Sequence, residues 1–429
     1  MSEQQPPSNL FTRILSSLGP AIITASVVLG PGSILSASKI GHTYAYQMSW
    51  VLIIAVIMMI AMTALSARLG IQLNGTICDE LAKRAGRPVA AATGVILFLI
   101  AACFQFSNNL GVLAAVEPFL KADSKLPIFI IIGMNAFIIL ALYGFKHLYG
   151  LIEKLMKLLV GIMIIAFAVN LFQVKPDWLA AISGLIPTIP EFDTSKTSFK
   201  EVMTPIVALY ATTFSVAGAF YQSYLVRQKG WTRENLKQGM VDSAVGISVL
   251  GLITLMVLIT AATVLYQNPR VESLGSVADV AKSLEPGFGK SAMVIFSLGI
   301  FAGAFSSFLV NAMIGGSILA DGFGKGGYID QKWPKLGTVF ALMTGMVVAI
   351  YTKSMGQKPV GLIIFAQSLT VLGIPMLAIA MLWLATRPDM TGENKIPFWM
   401  KFLGFIGLIT SILLAGRTAY NLIQPLISG

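Results

Sequence analysis

The chain has 429 residues, of which 56% are hydrophobic and only 11% charged, with a mean hydropathy of +0.79 and a formal net charge of +11. Soluble domains carry about 25% charged residues, so a soluble enzyme built on one core is excluded. The basic residues lie between long apolar blocks, where they set membrane topology and do not mark a nucleic-acid surface.

The polar start, Met1 to Asn9, leads directly into a full-length apolar block, so no cleavable signal peptide is expected. Apolar blocks alternating with polar breaks predict about eleven membrane helices, at roughly 17–41, 46–70, 89–118, 126–144, 151–173, 203–226, 240–267, 290–320, 336–352, 360–386 and 398–423. The longest loop, about 174–202, divides the first five spans from the next five. This predicts one transmembrane domain over 1–429: a first repeat of about 17–173, a second of about 203–386, and an extra helix of about 398–423. An odd number of spans per half inverts the second half relative to the first, a layout common in secondary transporters. Lys83, Arg84, Arg87, Lys146, Arg227, Lys229, Arg233, Lys332, Lys335 and Arg387 gather on one side. That bias predicts a cytoplasmic N-terminus and an outer C-terminus in a prokaryotic inner membrane. The expected partners are the lipid bilayer and a small inorganic ion, with the chain as a monomer. Cys78 and Cys103 suit neither a disulfide framework nor a zinc site.

Two spans carry a break. Span one holds Gly30, Pro31, Gly32 and Ser33 at mid-membrane depth, and span six holds Ser215, Val216, Ala217 and Gly218 at the corresponding depth. Proline between glycines cannot keep a regular helix ladder, and such backbone is tolerated in a bilayer only beside protein or a wet cavity. A proline kink and a helix-packing glycine are the purely structural alternative. The breaks fall in equivalent helices of the two halves, which favours a binding site.

Gly30-Pro31-Gly32-Ser33, with Tyr44, Trp50 and Ser66 to Gly70, resembles the first two helices of the Nramp family of divalent-metal transporters. Gly144 to Lys146 with Glu153-Lys154, Phe220-Tyr221 to Gln228, Ala302 to Ser307, and the Gln367 helix ending in Thr386-Arg387-Pro388-Asp389 extend the resemblance over nearly the whole chain. It implies the LeuT fold, an all-α polytopic architecture of two inverted five-helix repeats plus an eleventh helix. The family's metal-binding letters do not carry over. Its span-one Asp and Asn correspond to Gly30 and Ser33, its span-six Met-Pro-His to Val216, Ala217 and Gly218, and its span-three acids to Gln105 and Asn108. Only Gln367 is kept. The 19 acidic residues lie in loops or near span ends, so no metal is expected at the family's divalent site.

With an inward N-terminus, the half-helices from about Ser33 and about Ala219 aim their positive ends at the membrane centre. Ser33, Ser215, Tyr221 and Gln367 add neutral donors, and Lys39 stands roughly 9 Å beyond Ser33 along the helix, where it either draws an anion inward or snorkels to the headgroups. The expected substrate is a small inorganic anion such as bicarbonate. The alternative is a divalent cation, Mg2+ or Mn2+, carried at an altered site; a neutral solute or a sensor role stays open. Ser306 and Ser307 with the carbonyls of Val27 and Val28 form a candidate site for Na+ as coupling ion, or else adjacent serines that permit close helix packing. No other cofactor is expected. No nucleophile–base pair sits within the spans, so catalysis is not expected.

Overall fold

The computed structural model describes residues 19–121, 126–145, 147–188, 199–268, 277–355 and 359–428. Met1–Asn9, Arg13, Lys146 and the 189–198 part of the long loop therefore lie outside the described residues. Span one is a bent pair, α1 (Pro20–Val28) and α2 (Pro31–Tyr44), turning by 55° at its break. Span two is α3 (Ser49–Gln72), followed by a short helix α4 (Ile77–Ala85); spans three to five are α5 (Arg87–Val116), α6 (Leu126–Gly144) and α7 (Leu148–Val174). A short α8 (Trp178–Ser183) lies in the loop between the halves. Span six is again divided, into α9 (Phe199–Thr213) and α10 (Val216–Gln228). Then come α11 (Leu236–Leu265), α12 (Val277–Gly322), α13 (Lys332–Ser354), α14 (Pro359–Thr370) with α15 (Ile374–Ala385), and α16 (Phe398–Ser428). Among the described residues, ten helical stretches plus the bent pair are long and apolar enough to cross a bilayer, which makes eleven spans.

The packing obeys the symmetry expected of inverted repeats, in which span one pairs with span six and span two with span seven. The second half of span one, α2, packs on span seven, and the second half of span six, α10, packs on span two. A glycine admits each close approach. A β-carbon on Gly41 of α2 would stand 2.7 Å from the Leu258 carbonyl of span seven, and one on Gly70 of span two would strike the Ser223 carbonyl of α10. Small residues at crossings are how membrane helices gain contact when lipid is as apolar as their side chains.

Three boundaries differ from the sequence reading. The half-helices α2 and α10 begin at Pro31 and Val216, two and three residues before the expected Ser33 and Ala219. Proline suits the first helical position because its missing N–H has no intrahelical partner there. Span ten carries an unexpected third break, between Thr370 and Ile374. The helix α4 also went unforeseen, although Thr76 and Asp79 cap it reciprocally.

Candidate functional site

The break in span one is held open by its neighbours. Leu29 and Gly30 leave the helical conformation, with Gly30 extended at φ −88°, ψ 176°. Pro31 seats on Gly111 of span three, where a β-carbon would collide with its ring. From span eight, Ser307 Oγ donates to the Val27 carbonyl at 2.8 Å, and Asn311 Nδ2 donates to the same carbonyl at 3.3 Å and to Ser307 Oγ at 2.8 Å. The Val27 carbonyl near the end of α1 is thus already supplied with donors.

The N–H groups that open the two half-helices lack acceptors. Gly32 in the first turn of α2, and Ala217 and Gly218 in that of α10, contribute N–H groups that have no earlier turn to bond to. Around them, Ser33 Oγ, Ser215 Oγ and both polar atoms of Gln367 are buried without a hydrogen-bond partner. Gln367 lies on Gly32, and Gly218 faces Thr24 and Val27, with a β-carbon 3.6 Å from each. Span six and span ten therefore both meet the span-one break. Buried polar groups are nearly always satisfied, so orphan polar groups at the two helix starts, both beside the span-one break, mark a place for a ligand.

Not every expected residue joins this group. The Tyr221 hydroxyl, one turn further along α10, is likewise buried without a hydrogen-bond partner, and no contact ties it to the break. Ser306 Oγ donates back to Gly303 of its own helix at 3.0 Å, so of the candidate coupling residues only Ser307 and Val27 are joined directly. Val28 ends α1 beside them. Lys39 sits partly exposed near the far end of α2.

Two features escaped the sequence reading. Asn311 stands one turn beyond Ser307, and its signal was a lone amide in an apolar helix. The second is a polar chain from the break to the N-terminal end of α1. Thr24 Oγ1 donates to Gln222 Oε1 at 2.6 Å, Gln222 Nε2 donates to Asp242 Oδ2 at 3.4 Å, and Asp242 accepts the Gly19 and Ala21 N–H groups at 2.6 and 2.9 Å. Asp242 of span seven thereby caps a helix of another span. Among the described residues, no three His, Cys, Asp or Glu side chains are grouped to hold a metal ion.

The architecture matches solved transporters. A manganese transporter of Eremococcus coleocola, in complex with an aromatic bis-isothiourea substituted compound, aligns with a TM-score of 0.76 at 19% identity, covering 97% of this chain and 88% of that one. MhsT in complex with L-phenylalanine aligns at 0.61 and 18% identity, covering 97% and 100%. These likenesses establish the LeuT fold. Among sequence relatives, the divalent metal cation transporter MntH of Deinococcus radiodurans is 23% identical over 418 residues, covering 96% of this chain and 91% of its own length. MntH of Yersinia pestis is 23% identical over 421 residues and covered to 96% on both sides. The family model described as natural resistance-associated macrophage protein-like matches residues 21–421, and the chain belongs to this family, Nramp, as an integral membrane protein with a secondary-transporter fold.

Proposed function

We propose that this transporter carries a small monovalent inorganic anion, with bicarbonate the best fit. One observation carries the reading: at the convergence of the broken helices the Val27 carbonyl of α1 is occupied by Ser307 and Asn311, whereas the N–H starts of α2 and α10 lie beside side chains without partners. Gly30 stands where the family pattern has an acid, so no carboxylate cancels the positive field of the two helix starts. Each dipole contributes about 1–2 kcal/mol in a water-poor site, and each charge-assisted hydrogen bond about 1.5–3 kcal/mol. Desolvation of the anion and the lack of a full positive charge oppose this, and affinity on the order of millimolar follows. The basic side chains at span ends favour an inner membrane with the N-terminus cytoplasmic and the C-terminus outside.

A second reading, a divalent cation carried with part of its water shell, draws on the metal substrates in the relatives' names and on the amide oxygens of Asn108 and Gln367, which have no partner. Hard cations take such oxygens. The test is labelled bicarbonate uptake by proteoliposomes containing wild type, Ser33→Ala or Gly30→Ala. Loss of the Ser33 hydroxyl should raise the apparent KM several-fold, one hydrogen bond being worth about 1 kcal/mol. A β-carbon at Gly30 would stand 2.6 Å from Ser307 Oγ and should abolish uptake. Intact bicarbonate uptake in Gly30→Ala would remove the site from the broken helices.

A further inference from the structure

The Asn108 carboxamide is held in one orientation by hydrogen bonds that begin on the backbone of span eight. The Phe308 carbonyl accepts from Gln105 Nε2 at 2.8 Å, so Gln105 presents Oε1, and that oxygen accepts from Asn108 Nδ2 at 3.0 Å. Turning either amide over would set oxygen against oxygen. Asn108 Oδ1 is consequently a fixed acceptor. It is fully buried, has no partner, and stands 3.1 Å from where a Gly30 side chain would begin. Ser307 Oγ borders the same point, and its proton is committed to Val27. The break thus offers N–H donors on one side and, at Gly30, oxygens with no proton to give.

We infer that Asn108 is a specificity-determining residue that selects an anion carrying a hydrogen-bond donor of its own, hydrogen carbonate over formate, nitrate or chloride. This rests on the anion reading above and adds to it the chemical class of substrate. An anion without an O–H would leave the Asn108 oxygen buried and unpaired, and sites built to pair a substrate hydroxyl reject analogues that lack it. Formate is the matched probe, because it keeps the carboxylate and replaces the hydroxyl with hydrogen.

The experiment measures uptake of labelled hydrogen carbonate and labelled formate in parallel, by the full-length protein in proteoliposomes, for wild type, Asn108→Leu and Asn108→Ser. Wild type should prefer hydrogen carbonate by about tenfold or more. Asn108→Leu should lose that preference through a fall of about tenfold in hydrogen carbonate uptake alone. Its formate uptake, unchanged or raised, reports an intact fold. Should the leucine variant fail to assemble, Asn108→Ser and the wild-type ratio decide. A wild-type ratio near one, or equal loss of both anions in the variants, would overturn the role of Asn108 and leave the anion reading standing. Uptake of neither anion by wild type would overturn both.

Discussion

Gln367 of span ten lies directly on the backbone of Gly32, so close that a β-carbon there would stand 2.5 Å from Gln367 Cδ. The glycine places an amide with two unpaired polar atoms at the start of α2. Gly32→Ala should displace that amide, cost about 1–3 kcal/mol by overpacking and suppress uptake. Gln367→Leu keeps the volume and loses the hydrogen bonds. It should leave thermal stability close to wild type and raise KM by roughly five- to tenfold, as loss of one bond worth about 1 kcal/mol or slightly more requires. An unchanged KM in Gln367→Leu would make the residue a packing element only.

Sodium dependence turns on Asn311. A cation seated against the Val27 carbonyl would have to displace the Asn311 amide hydrogens that now point at it. Replacing Na+ by choline should therefore change wild-type uptake by less than about twofold, under half a kcal/mol. Asn311→Ala uncovers the carbonyl and the Ser307 hydroxyl and should increase Na+ stimulation, while Ser306→Ala should alter neither. A strong Na+ requirement in the wild type would contradict this.

Asp242 ties the N-terminal end of α1 to span seven. Asp242→Ala leaves the buried Gly19 and Ala21 N–H groups without their acceptor, at about 1–3 kcal/mol each. Hydrogen–deuterium exchange of the α1 amides should accelerate accordingly. Asp242→Asn retains one acceptor oxygen and should fall between the two. Exchange at the wild-type rate in Asp242→Ala would show that α1 is anchored elsewhere.

Acid should loosen the face that holds α4 and the 386–397 segment. Burial alone would raise the Glu80 carboxyl, but hydrogen bonds from Arg84 and Lys83 outweigh it and hold Glu80 below the usual carboxylate range. Hydrogen bonding from Arg387 likewise lowers Asp389. For a carboxylate with a lowered folded pKa, the stabilisation is complete above the unfolded value, about 4.3 for Glu. It is lost as pH falls through the folded value. Thermal stability should thus be flat in this respect from neutral pH to about 5 and decline below about 4. Glu80→Gln should remove the Glu80 part of that decline. An identical acid profile in Glu80→Gln would assign it to other carboxylates.

The parts legible in the sequence are those written by local chemistry. Gly30-Pro31-Gly32 announces a broken span because proline cannot bond and glycine cannot fill space. The third break had a comparable signal in Gly373 followed by Pro375 at the start of α15, but one glycine and one proline within an apolar run read equally as a kink. The symmetry pairing of Gly41 with Gly70 lies in contacts between distant spans, which no local pattern reports. For the same reason Asn311 and the fixed orientation of Asn108 emerge only when spans one, three and eight are seen together. Ser306 and Ser307 look equivalent as neighbours, yet helical rotation sends one to Val27 and the other to its own backbone.

We propose that the broken helices, with Gly30 where the family pattern has an acid, serve an anion. Side-by-side uptake of labelled bicarbonate and labelled Mn2+ by the same proteoliposomes tests it most directly. Saturable bicarbonate uptake with an apparent KM on the order of millimolar, and no Mn2+ uptake above empty vesicles, is the predicted result. Saturable Mn2+ uptake at micromolar concentration, with no bicarbonate transport, would contradict the account and return the site to a cation.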